Sequence, residues 1–242
     1  MKKLLVLLLV AAMAVSVLAG CTPTVTINSS SAADNNSSEN SSVVETTAAN
    51  DDNNQGAFDE DEVVKNIKYD SYSYVNYSYN YLALVVKNNS DYDCKLEAEV
   101  TFFNKKGKIV GTESATISAF QAGAESALRV STKDKYEKFE VQFSASELTY
   151  YTAINKDLKC QVDKATDKAI VSVTNNGKKT ALYTKGYVFF YKGDKLVRAD
   201  YTYVGDSKSE IKPGKTQRAE ISCYDKFDTV KAYVDSCAKT NE

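Results

Sequence analysis

The residues of this 242-residue chain that could do chemistry are a run of tyrosines, five cysteines and scattered carboxylates. Histidine is absent, which removes the commonest general base, the usual metal ligand and the Ser-His-Asp and Cys-His arrangements in one step. No Gly-rich phosphate loop and no CxxC pair takes their place. Glu97 and Glu99 form a carboxylate pair, but strand spacing points both to one face, most simply a solvated one. Hydrolysis by carboxylates alone stays open in principle and has no further support. The cluster Asp59-Glu60-Asp61-Glu62 lacks the alternating ligands and turn glycine of a calcium loop, and reads as a solvated charge run. The expectation is a protein that binds and does not catalyse, with no metal, cofactor or catalytic residue.

The run YDSYSYVNYSYNY is the richest candidate. Alternation puts Tyr72 and Tyr74 on one strand face; the parity then shifts at Val75-Asn76, and Tyr77, Tyr79 and Tyr81 share a face, which predicts a bulge or a turn. An exposed row of tyrosines could stack on sugars or hold a peptide, because each ring offers apolar area with a hydrogen-bonding tip. The plainer reading is that tyrosine is a good strand former and half of these rings pack against the sheet. These five residues are the candidate ligand face.

The elements that carry them begin at the N-terminus. Lys2 and Lys3 precede a nearly unbroken apolar run from Leu4 to Leu18, as in an export signal. The run is shorter than the roughly 20 residues of a membrane span. It ends in Leu18-Ala19-Gly20-Cys21, which resembles the lipobox of bacterial lipoproteins. That resemblance implies a signal peptide over residues 1–20, cleavage before Cys21 and a diacylglycerol thioether on it, so that the mature chain sits outside the cytoplasmic membrane. Two or more acyl chains there would anchor it stably, where one is marginal. The lipidated cysteine then opens an acidic linker over residues 21–65. Its residues 22–62 hold nine Asp or Glu and no Lys or Arg, a composition that stays disordered and spans about 35 Å as a flexible coil. The formal charge of −2 therefore hides a net +5 on residues 63–242. No dense Lys/Arg block accompanies it, so nucleic acid is not an expected partner.

From Val63 onward, short apolar runs with period-two alternation, rich in Tyr, Val, Phe and Thr, predict many antiparallel strands. The pattern occurs twice. Residues 86–117 match 173–204 without gaps at an offset of 87, with Asn88-Asn89 on Asn175-Asn176 and Phe102-Phe103 on Phe189-Phe190; from Gly123 on Gly214 the offset becomes 91. The fold class expected is all-β: two tandem immunoglobulin-like antiparallel sandwiches, over residues 66–148 and 149–242, each of six or seven strands. Asn88-Asn89-Ser90 and Asn175-Asn176-Gly177 read as turns that tolerate positive φ, Lys106-Gly107 and Gly193-Asp194 as tight hairpins, and Pro213-Gly214 as a turn pair. Three of the remaining cysteines, Cys160, Cys223 and Cys237, lie in the second copy, opposite Ser73, Thr132 and Ser146 of the first. With an even number of strands, the first begins where the last finishes, which favours a disulfide between Cys160 and Cys237, with Cys160 and Cys223 as the second pairing. Cys94 has no partner in its copy and reads as buried or free.

The order of apolar strand, Asn-Asn-Ser, strand, Phe-Phe, Lys-x-Gly-Lys, apolar strand and turn glycine resembles the FxLYD domain. This is a small immunoglobulin-like sandwich found, commonly in tandem, in bacterial and archaeal surface lipoproteins. Val100-Thr101-Phe102-Phe103-Asn104 and Tyr187-Val188-Phe189-Phe190-Tyr191 keep the apolar character of its naming motif and not its letters. The resemblance brings no agreed activity. The anchor, the repeated sandwich and the lack of catalytic motifs together lead to the expectation of a binding or scaffolding module held in the cell envelope by the lipid on Cys21, with an envelope protein or polymer as partner; the alternative is an accessory glycan or solute binder using the tyrosine face.

Overall fold

Alternating apolar and polar side chains put one face of a strand into a core and the other into water, so such strands pair into sheets that stack face to face. The computed structural model describes residues 57–241; the signal peptide expected over residues 1–20, the lipidation expected at Cys21 and the expected linker as far as residue 56 lie outside the described residues. The first copy consists of helix α1 (Glu60–Asn66) and strands β1 (Ile67–Asn76), β2 (Tyr79–Asn88), β3 (Cys94–Phe103), β4 (Ile109–Phe120), β5 (Glu125–Thr132) and β6 (Lys138–Ser146). Its antiparallel sheets are β1-β2-β5 and β4-β3-β6, closed over Leu82, Leu84, Leu96, Val100, Phe102 and Ile117. The second copy consists of β7 (Tyr151–Ala153), β8 (Leu158–Lys164), β9 (Lys168–Asn175), β10 (Ala181–Lys192), β11 (Lys195–Tyr203), β12 (Glu210–Ile211), β13 (Thr216–Ser222) and β14 (Thr229–Lys239). Its sheets are β8-β9-β13 and β11-β10-β14-β7, with β12 also on β10. Strand for strand, β8-β9-β13 repeats β1-β2-β5 and β11-β10-β14 repeats β4-β3-β6. The protein is thus a duplicated immunoglobulin-like β-sandwich.

The same asparagine ties each copy together. Asn88 is buried and its amide donates to the carbonyls of Tyr92 at 2.9 Å and Phe120 at 3.4 Å, while its Oδ1 accepts from the Ser90 N–H at 3.0 Å. Asn175 does the same with Lys179 and Ile211, both at 2.8 Å, and the Gly177 N–H at 2.9 Å. Positive φ was expected of these Asn turns and is not found; the residue type is needed because a buried side chain must serve donors and acceptors of two loops at once. The glycine corners do carry positive φ, at Gly107, Gly193 and Gly214. Lys212-Pro213-Gly214-Lys215 closes with a Lys215 N–H to Lys212 C=O bond of 3.0 Å and φ +72 at Gly214, as a turn with Pro second and Gly third should.

Two sequence expectations are corrected. The end of the linker is a helix, because Asp59 accepts from the Glu62 N–H at 3.0 Å as N-cap and Val63 is fully buried in the first core. The acids of the first turn complement the helix dipole. Second, the gapless match between the copies hides a phase slip. Leu82 to Val86 and Val171 to Val173 alternate in step, but in β10 the two residues Tyr183 and Thr184 oppose the single Ser236, where in β3 Leu96 alone opposes Ala145. This bulge, with Tyr183 at φ +51, advances the register by one, and the β10–β11 hairpin restores it, with seven residues between Phe190 and its partner Arg198 against eight between Phe102 and Gly111. Between the two, inside and outside exchange: Phe102 lies in the first core, but in the second it is Phe190 that does, and Phe189 faces out.

Candidate functional site: the seam between the sandwiches

The tyrosine row occupies the outer face of β1-β2-β5. The parity shift is a two-residue turn: Asn76 pairs with Tyr79 across Tyr77-Ser78, so Tyr72, Tyr74, Tyr79 and Tyr81 share one face and Tyr77, at φ +52, caps the tip. The face is covered. Tyr187, Phe189 and Tyr191, turned outward by the bulge, meet Tyr72, Tyr74, Ala83, Val85 and Ala127 in one apolar cluster. Tyr72 packs edge-on against Phe189 and Tyr191 at ring separations of 6.0 and 6.1 Å. The Tyr74 hydroxyl donates to the Ala199 carbonyl across the seam, and burial pushes it up to about 12. Arg129 of β5 donates to the Asp200 carboxylate at 2.9 Å and to the Ala199 carbonyl at 3.0 Å, with its guanidinium between the rings of Tyr81 and Tyr201. Of the five tyrosines expected to form a ligand face, Tyr72, Tyr74 and Tyr81 therefore hold the second sandwich. Tyr77, 85% exposed, and Tyr79, 37% exposed, remain at the tip.

The four described cysteines are free thiols. Cys160 and Cys237 do not pair because they lie on opposite faces of the β14 sheet: Cys160 packs in the second core, whereas Cys237 points outward to Ala119, Ala153 and Leu182. The second pairing fails on distance. Cys160 pairs with Val173, and the Cys223 N–H bonds to the Asp167 carbonyl, six residues or about 20 Å further along β9. Burial pushes the Cys94 thiol up to about 12 and those of Cys160 and Cys237 to about 11, so none is a ready thiolate nucleophile. Cys94 is buried and free, as the sequence suggests.

What the seam builds is a cleft of about 150 Å³ at the bulge, lined by Ser118 of the first copy and by Tyr151, Tyr183, Lys185, Tyr203 and Asp235 of the second. Asp235 is 4% exposed. Burial raises its carboxyl to about 6, against a lowering by Lys185, its register partner on β10. Among the described residues no hydrogen bond reaches this carboxylate and no ion pair compensates it; Lys185 instead holds its ammonium 5.9 Å from the Tyr201 ring. Tyr187, behind it, is raised by burial and by the Asp235 charge. A left-handed non-glycine residue, a bulge and a buried carboxylate with a shifted pKa converge here, the combination that marks functional clefts. Asp235, Lys185 and Tyr183 escaped the sequence reading. In the duplication Asp235 stands on Ser144 and Lys185 on Glu97, both on an outer face, so nothing in the alternation announces that this face is buried. In the fold, Val234-Asp235-Ser236-Cys237-Ala238 is buried on both sides, which its residue types do not signal.

Among the described residues no group of three or more His, Cys, Asp or Glu could hold a metal ion, and no helix is long and apolar enough to cross a membrane. No protein-family model and no curated protein matches the chain. Solved structures similar to it include red sea bream transglutaminase, at 12% identity and a TM-score of 0.26, covering 71% of this chain and 29% of that one. Another belongs to a chaperone–tip adhesin complex of CFA/I fimbriae biogenesis, at 12% identity and a TM-score of 0.20, covering 69% of this chain and 93% of that one. The chain thus spans less than a third of the transglutaminase, and likenesses at this distance carry no argument about what it does.

Proposed function

We propose that this protein is a lipid-anchored, non-catalytic binding module of the cell envelope, built from two FxLYD-like sandwiches, whose recognition surface is the cleft at their seam. The lipobox-like Leu18-Ala19-Gly20-Cys21 supports the anchor and the extracytoplasmic location, and the acidic linker supports display at a distance from the membrane. The observation that carries the choice of surface is Asp235: an unpaired carboxylate, 4% exposed, is costly to keep in a fold unless a partner uses it. The tyrosine row supports a different role from the one its sequence suggests, that of clamping the two sandwiches so the cleft has one shape. Cross-linking on intact cells tests this reading. A photo-reactive residue at Tyr203, in the cleft, is expected to capture a defined envelope component, while one at Thr101, on the far sheet, captures only scattered neighbours; equal capture from both positions would sink the assignment. Cys21→Ala is expected to release the protein from the membrane fraction or block its processing, and unchanged lipid labelling would refute the anchor.

A further inference from the structure

We propose that the cleft binds the ammonium group of a small primary amine, with the Asp235 carboxylate as counter-ion and the rings of Tyr151, Tyr183 and Tyr203 as walls. This inference rests on the cleft being the recognition surface and names its ligand chemistry. A carboxylate 4% exposed calls for a cation in contact with it, and Lys185, the cation that lines the same cleft and lowers its pKa, forms no ion pair with Asp235, its ammonium lying 5.9 Å from the Tyr201 ring. Beside the apolar Leu182 and Cys237, the lining offers three tyrosines and Ser118, which suit an ammonium, since tyrosine rings attract a cation and hydroxyls accept from its N–H groups. Ser118 brings such a hydroxyl from the first copy, so the site is complete only when the sandwiches are docked. A single carboxylate is a poor cage for a metal ion, which takes several oxygen ligands, but it satisfies one ammonium. The size admits such a ligand. A volume of about 150 Å³ is ample for a compact amine, since one water needs only about 10–15 Å³ on the same measure.

The test is calorimetric titration of the full chain, held in detergent, with ethanolamine at pH 7.5 and with ethylene glycol as its uncharged counterpart. Saturable one-to-one binding of ethanolamine, none of ethylene glycol, and at least a tenfold loss of affinity in Asp235→Asn are expected. Tyr203→Ala, on an exposed ring, is a second probe that leaves the carboxylate in place and is expected to weaken binding several-fold. Absence of saturable ethanolamine binding, equal binding of ethylene glycol, or unchanged affinity in either variant would overturn the proposal. If Tyr203 still cross-links a defined partner on cells while ethanolamine fails to bind, the amine assignment falls and the recognition surface stands.

Discussion

A carboxylate moved out of water into a protein seam resists ionisation, and that resistance is measurable as a dependence of stability on pH. Asp235 ionises near 6 in the fold and near 3.9 in an unfolded chain, so the folded state holds the proton more tightly. Its contribution to stability is fully present below about pH 4 and is lost as the pH rises through 6. Two pKa units correspond to roughly 3 kcal/mol. Asp235→Asn is therefore expected to be the more stable protein at pH 7, by up to about 3 kcal/mol, and to lack this slope between pH 4 and 6. Urea unfolding of both proteins at several pH values checks it; an Asn variant less stable at pH 7 would show that the carboxylate is compensated after all. Asn175 behaves in the opposite sense. Asn175→Ala strands the carbonyls of Lys179 and Ile211 and the Gly177 N–H, and a loss of roughly 2 to 3 kcal/mol is expected, with Asn88→Ala similar. The two asparagines were legible in the sequence as repeated positions, although not for the right reason, since turn chemistry and a buried hydrogen-bonding hub select the same residue type. Asp235 was not legible, because it is buried on what the alternation marks as an outer face, beside the bulge and the seam.

Strands such as β3 and β6 could be read from alternation because they have one wet and one dry face, while β2, β10 and β14 are covered on both; the hairpin corners could be read because glycine relaxes at positive φ. The bulge in β10 could not. One residue gained at Tyr183 and one lost in the next hairpin leave the alignment gapless, while every side chain between them changes face. That exchange is what turns Phe189 and Tyr187 from core positions into docking positions, and it places the cleft beside the strained residue. Tyr183 is 57% exposed and holds φ +51, so its backbone costs about 1 kcal/mol that glycine would not incur. Thermal unfolding is expected to show Tyr183→Gly as stable as the parent or more so, by up to about 1 kcal/mol. Tyr183→Val should be destabilised by about 1 to 2 kcal/mol, because a β-branched residue is least at ease in that region. Equal stability of the two variants would mean that the left-handed bulge is not maintained in solution.

At the scale of the whole molecule, the two copies dock through different faces. The outer face of β1-β2-β5 in the first meets the outer face of β11-β10-β14 in the second, which is a head-to-tail arrangement, and such an interface can in principle continue into a chain of copies. The corresponding faces at the two ends are more polar than the docked ones. The second copy carries Lys168, Ile170, Ser172 and Arg218 where the first has Tyr81, Ala83, Val85 and Ala127, and an ion pair of Lys168 with Glu220 at 2.7 Å lies on that surface. The free sheet of the first copy presents Glu97, Glu99, Lys138 and Glu140, with Lys138 and Glu140 paired at 2.7 Å. Each sandwich also has its own closed core, so the seam is an addition to two foldable units and can be broken by itself. Phe189, fully buried in the seam, stands where the first copy has the outward Thr101, so an acidic residue there opposes docking without entering either core. The parent chain is expected to be a monomer by light scattering and to unfold in one calorimetric transition, because opening the seam exposes a large aromatic surface. Phe189→Asp is expected to divide that transition in two and to enlarge the radius of gyration in small-angle scattering, with strand content unchanged by circular dichroism. A single transition and an unchanged radius in Phe189→Asp would mean that the aromatic cluster does not hold the sandwiches together, and the composite cleft at Asp235 would lose the wall that Ser118 brings to it.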